Sequence, residues 1–169
     1  MACTISLGRL EGCKDSVGGL KAAYLINFED ATFTITNSTA TVVESTPAAH
    51  KYDLRGTSSF DQSLTSSRDN GTTYVEQTLT LSLKSQDAAT HKEIMQMAYG
   101  RPKILVEDNN GNVYVMGAQH GAELSASTSS GASMGDKSGY ELTFVAMEKE
   151  LAPITSEVLA TTYGIVAGL

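Results

Sequence analysis

The stretch Thr57–Lys84, TSSFDQSLTSSRDNGTTYVEQTLTLSLK, decides the fold class. It alternates polar and apolar residues on both sides of Asn70-Gly71, a dipeptide that tolerates the positive φ angles of a tight hairpin turn. A two-residue turn there sets Phe60 opposite Leu81, Gln62 opposite Leu79, Leu64 opposite Gln77 and Ser66 opposite Val75. Val75, Leu79, Leu81 and Leu83 share one parity and so one face of the second strand. Phe60 and Leu64 fall on the same face of the first, and the two strands agree about the buried side. The opposite face carries Tyr74, Glu76, Thr78 and Thr80. From Thr73 to Lys84 such a strand spans about 40 Å, roughly twice the usual length. Near the turn there is almost nothing to bury, so the tip is expected to project as an arm. A projecting two-stranded arm is marginal in water: it is either mobile or covered by another chain.

The rest of the 169 residues supports a mainly β protein. Thr, Ser, Gly and Ala dominate, Trp is absent, and the formal net charge is −7. An acidic chain is a poor candidate for gripping phosphate, which needs clustered Lys and Arg. The start, MACTISLGRLEGCKDSVGG, lacks the basic and apolar regions of a signal peptide, and no apolar run reaches the length of a membrane span. Cys3 and Cys13 fit no zinc spacing and read as free thiols, with a disulfide between them left open.

Along the chain, residues 1–19 read as a Gly-rich arm, 20–152 as the folded domain and 153–169 as a C-terminal tail with one short helix or strand. Strands are expected over 20–28, 32–35, 39–43, 49–55 and 139–147, with a turn at Asn37-Ser38. Residues 86–99 form the one convincing helix. Asp87 or Ser85 caps it, Ala88, His91, Ile94, Met95, Ala98 and Tyr99 form its apolar stripe, and Gly100 ends it. Lys103–Met116 reads as a second hairpin turning at Asn110-Gly111. Its expected faces are Ile104, Val106, Val113 and Val115 on one side and Leu105, Tyr114 and Met116 on the other. Apolar residues on both faces place this pair deep. Residues 122–138 read as a strand fading into a polar loop.

Chemistry-bearing patterns are thin. His91 on the helix stripe is more simply a packed histidine than a ligand, and His50 and His120 have no ligand spacing. There is no G-x-S-x-G, and DSVGGLK lacks the phosphate-loop pattern. The run Glu107–Gly111 is better explained as a turn than as a calcium loop. No acid pair stands out. The expectation is a non-enzyme without catalytic residues, metal or cofactor.

Taken in order, TSSFDQSLTSSRDNGTTYVEQTLTLSLKS, HKEIMQMAYGRPKILVEDNNGNVYVMG and GDKSGYELTFVAMEK resemble a bacteriophage tail tube (major tail) protein over about Asp15 to Lys149. The resemblance implies two antiparallel sheets packed as a sandwich or partial barrel, with one flanking helix and a long projecting hairpin. It implies homo-oligomeric rings, usually hexamers, that stack into a tube through which DNA passes without specific binding. Other tail proteins would meet the tube ends and a tape measure protein would lie inside. The setting would be the virion tail, assembled in the host bacterial cytoplasm, with no membrane anchor. The arm would then reach a neighbouring ring, with Arg68, Asp69 and Asn70 making polar contacts and Phe60 and Leu64 anchoring its base. Glu76 would be a lumen-facing acid. The alternatives are another tube-fold component (tail terminator, baseplate tube or secretion tube) and a ligand-binding β-barrel.

Overall fold

The computed structural model describes residues 7–44 and 46–168. Cys3, and with it the question of a Cys3–Cys13 disulfide, lies outside them; Cys13 is exposed. The described residues form two sheets and two helices. The strands are β1 (Leu20–Ile26), β2 (Phe33–Thr36), β3 (Thr39–Val42), β4 (Ala48–Asp53), β5 (Ser59–Ser67) and β6 (Thr72–Lys84), followed by helix α1 (Ala88–Tyr99). Then come β7 (Lys103–Asp108), β8 (Val113–Met116), β9 (Glu123–Ser129), β10 (Gly139–Glu148), β11 (Ile154–Thr155), helix α2 (Leu159–Thr162) and β12 (Gly164–Ala167). The larger sheet runs β12-β4-β1-β7-β8-β11-β3-β2 and the smaller β5-β6-β10-β9; neither closes into a barrel. All pairings are antiparallel except two of the three made by the tail, β11 on β3 and β12 on β4.

Two cores result, one on each face of the large sheet. Between the sheets, Leu25, Ile104, Val106 and Met116 pack against Leu79, Leu81, Leu142 and Phe144, with Ile94 of α1 closing the end. On the far face, Tyr24, Ile26, Phe33, Leu105, Val115 and Tyr163 form the second cluster. Tyr163 is buried there and its hydroxyl donates to Glu157 Oε2 at 3.0 Å, while Glu157 Oε1 accepts the Val42 N–H at 3.2 Å and so ties the tail to the body.

The first hairpin pairs Phe60 with Leu79, Gln62 with Gln77, Leu64 with Val75 and Ser66 with Thr73. The register therefore differs by two residues from the one a two-residue turn would give. The loop spans residues 68–71, with Gly71 alone at positive φ (61°) and the Asn70 N–H held by Ser67 Oγ. A shift of two preserves the faces, so Val75, Leu79 and Leu81 are buried as their parity requires. Residues 75–84 of β6 also pair with β10, and only the last pairs near the turn extend past the sheet.

The second hairpin departs by one residue, and that reverses a strand. Its register sets Ile104 opposite Met116, Leu105 opposite Val115 and Val106 opposite Tyr114. Val113 and Val115 thus share a face with Leu105, not with Ile104 and Val106. The cause is Asp108, whose Oδ1 accepts the N–H groups of Asn110 (2.9 Å) and Asn112 (2.8 Å) and stretches the turn into a longer loop. At Asn37 (φ 51°) and Ser38 (φ 60°), by contrast, two consecutive left-handed residues make the tight turn expected between β2 and β3.

Helix α1 begins at its Asp87 cap, which accepts the Thr90 N–H at 2.7 Å. Its buried side is Ile94 with Met97 partly covered, while Met95 and Tyr99 face solvent, so the packed stripe is narrower and rotated from the expected one. His91 is exposed and stands edge-on to Tyr140, 5.3 Å between ring centres. Gly100 ends the helix in extended rather than left-handed backbone.

Gln77 is the polar residue set deepest between the sheets. Its Oε1 accepts the Gly117 N–H at 3.1 Å and its Nε2 reaches the Glu150 carbonyl at 3.4 Å. Gln77→Leu keeps the volume but strands the Gly117 N–H, and is expected to lower stability by about 1–3 kcal/mol in urea unfolding.

Candidate assembly surface

The small sheet has one face against the core and one face bare. Its bare side is set by parity: Asp61 and Ser63 on β5, Glu76, Thr78 and Thr80 on β6, Glu141 and Thr143 on β10, Glu123 and Ser125 on β9. Asp61, Glu123 and Glu141 are exposed and Glu76 is half-buried between its neighbouring strands. Lys84 at the far end shares this face, and Lys137 reaches onto it to meet Ser82 Oγ at 2.6 Å. Tyr74, Val145 and Met147 share this face, with Met147 59% exposed, so the hydroxyls and carboxylates surround a short apolar strip on β10.

The sequence-derived residues fall on three separate surfaces. Glu76 stands on the bare face. Arg68, Asp69 and Asn70 form the exposed turn at the end of the hairpin. Phe60 points into the molecule, half-buried, with its ring 5.8 Å from that of Tyr114. Leu64 also stands on the inner side, yet it is 61% exposed because it lies on an edge strand near the tip. Sequence reading missed Asp61, Glu123 and Glu141 as companions of Glu76, since their common face exists only once the strand order is known. The alternation in Glu123–Ser129, ELSASTS, was the available signal for β9.

Beside β5 the N-terminal lead-in is latched down. Val17 donates its N–H to Asn110 Oδ1 (2.8 Å) while Asn110 Nδ2 donates back to the Val17 carbonyl (2.8 Å). Asn109 Nδ2 donates to the Gly18 carbonyl at 2.9 Å. Before this latch, residues 7–16 are all exposed, Leu7 and Leu10 among them. Gly19 permits the close approach: it sits at φ 97°, and a Cβ there would lie 2.9 Å from Asn109 Nδ2.

Titratable groups elsewhere are used structurally. Buried Glu148 accepts the N–H groups of Gln119 (3.0 Å) and His120 (2.8 Å) on Oε1 and faces His120 Nδ1 with Oε2 (2.8 Å). Lys103 is buried, donates to the Ala31 carbonyl at 2.7 Å and lies 4.4 Å from the centre of the Phe28 ring. Burial pulls its amine below the usual lysine value. Among the described residues no group of three His, Cys, Asp or Glu side chains is placed to hold a metal ion. A cavity of about 680 Å³ between β4 and α1 mixes Lys51 and Lys84 with Asp53, Asp87 and Glu93 and gathers no converging set.

No known protein family, curated protein or solved structure matches the chain.

The latch gives a pH signature. Burial alone would raise the Asp108 carboxyl, but the donors of Asn112 and Asn110 outweigh it and hold it below the ordinary aspartate range. A depressed acid adds stability above its unfolded pKa, and this is lost as pH falls through its lower folded value. Asp108→Asn is therefore expected to cost about 1–3 kcal/mol at pH 7. The gap from the wild type should narrow as pH falls below the ordinary aspartate pKa of about 3.9, as read by urea unfolding at pH 7 and in acid.

Proposed function

We propose that this chain is the structural subunit of a bacteriophage tail tube, forming hexameric rings that stack around a lumen for DNA. The observation that carries the reading is the small sheet. It is wholly antiparallel, open at both edges and packed on one face, and its other face is mostly hydroxyls and carboxylates, interrupted by Tyr74, Val145 and Met147. Four strands from each of six subunits would make a ring of about 24 strands. At about 4.8 Å per strand and a tilt near 40°, such a ring is roughly 45–50 Å across its backbone. Side chains reduce that opening and still leave room for a DNA duplex.

The bare face suits passage better than binding. Carboxylates repel phosphate, and hydroxyls offer short contacts that water replaces readily. Asp61, Glu76, Glu123 and Glu141 would line the wall, and the large sheet would form the outside of the tube. The hairpin turn, Arg68–Gly71, lies at one end of the strands and so at an axial face of the ring, where the next ring would meet it. A tape measure protein before ejection and DNA during it are the lumen's occupants in this reading, with other tail proteins at the tube ends. No step calls for a cofactor.

Electron microscopy of purified protein at rising concentration, beside a variant lacking residues 66–72, tests the stacking role. Rings or tubes are expected from the wild type and single rings or monomers from the variant. A wild type that stays monomeric at every concentration would refute the tube. The lining is tested by Glu76→Lys combined with Glu141→Lys. Tubes of that variant should retain short DNA in a filter assay, with retention falling by orders of magnitude between roughly 50 and 200 mM salt, while wild-type tubes retain almost none.

A further inference from the structure

The two edges of the small sheet fit each other. Neither β5 nor β9 has a backbone partner on its outer side among the described residues; a single side-chain donor, Gln86 Nε2, meets the Ser129 carbonyl at the end of β9. Four strands, each antiparallel to the next, leave β5 and β9 running in opposite directions. A copy set head to tail therefore presents an antiparallel strand, and the pattern continues without a break.

Face alternation narrows the register. Phe60, Gln62 and Leu64 point inward from β5, and Leu124 and Ala126 point inward from β9. Inward residues must oppose inward residues, so only registers two residues apart remain. Leu64 selects among them. It stands on the inner face opposite fully buried Val75, yet is 61% exposed, and among the described residues no strand pairs with the outer side of β5.

We infer that subunits join by antiparallel pairing of β5 with β9 of a second copy, in the register that sets Leu64 opposite the partner's Leu124. The inference rests on the ring reading above and gives its joint. Ser63 then faces the partner's Ser125, and Asp61 faces the partner's Ser127, which keeps the carboxylates of the two edges from facing one another. A shift of two either way sets Leu124 against Ser66 or Gln62 and leaves Leu64 only the smaller Ala126 or Ala122 as its opposite. The seven residues of β9 are matched by Ser59–Thr65, so the tip of the hairpin lies beyond the joint and stays free for the next ring.

Disulfide trapping tests the register. In a Cys3→Ser, Cys13→Ser background, Ser63→Cys with Ser125→Cys places two thiols on directly opposed residues, within bonding reach. Mild oxidation should convert the assembled protein into a ladder of covalent oligomers, while each single variant stays monomeric on a denaturing gel. Stronger linking by the offset pair, Ser63→Cys with Ser127→Cys, would overturn the register. A covalent dimer from Ser63→Cys alone would overturn head-to-tail joining, because β5 would then meet β5. Leu64→Asp should leave the melting of the single chain unchanged and abolish assembly; normal assembly would remove Leu64 from the joint. Tubes that form without linking in either pair would refute this joint and leave the tube standing. No assembly under any condition would refute both.

Discussion

The ladder between β6 and β10 is the constraint on which the molecule depends. Ten consecutive pairs, from Lys84 with Gly139 to Val75 with Glu148, bring two strands far apart in sequence into one rigid ribbon. The ribbon fixes which side chains point at the large sheet: Leu79, Leu81, Leu142 and Phe144 on its inner side form half of the main core. It also fixes the bare face, since every outward residue is set by the same alternation. Gly139 shows how closely the strands approach, for a Cβ there would collide with the Leu83 carbonyl.

A sheet built this way separates stability from assembly. Along β6 and β10 the inward residues Val75, Leu79, Leu81, Leu142 and Phe144 are buried within the single chain, which therefore carries its own core. The outward hydroxyls and acids, the hairpin turn and the two open strands contribute little to that core. They are free to be chosen for contacts with neighbours or for what moves past them. Open edges are a hazard in a protein that is meant to remain single. Here β5 is rich in Ser and carries Asp61, features that weaken casual pairing without forbidding a specific one.

How much could be read from sequence depended on the size of each error in register. In the first hairpin the real loop is four residues rather than two, and each strand slides by an even number against the other. The faces survive, and so the burial of Val75, Leu79 and Leu81 was legible from alternation alone. In the second hairpin the Asp108 side chain draws in Asn110 and Asn112, the offset becomes odd, and Val113 and Val115 change sides. The Asn-Gly signal was present in both, but it does not report loop length. The helix was legible in position and cap, but not in orientation. Ile94 and Met97 face the core because of where β9 and β10 lie, which periodicity in a 12-residue segment cannot reveal. The acidic face was invisible beyond Glu76, since Asp61, Glu123 and Glu141 come from strands that only the sheet order brings together.

The placement of β11 has a consequence for how the chain is made. Ile154 and Thr155 lie between β8 and β3, and through them the β2–β3 hairpin joins the rest of its sheet. Every strand that β11 connects is synthesised before it. Until that short segment has left the ribosome, the hairpin waits without its neighbour and the large sheet remains in two parts. Completion of the large sheet is thereby delayed until Ile154 and Thr155 have been made, and a product cut short before them would carry an open seam along the side of the sheet.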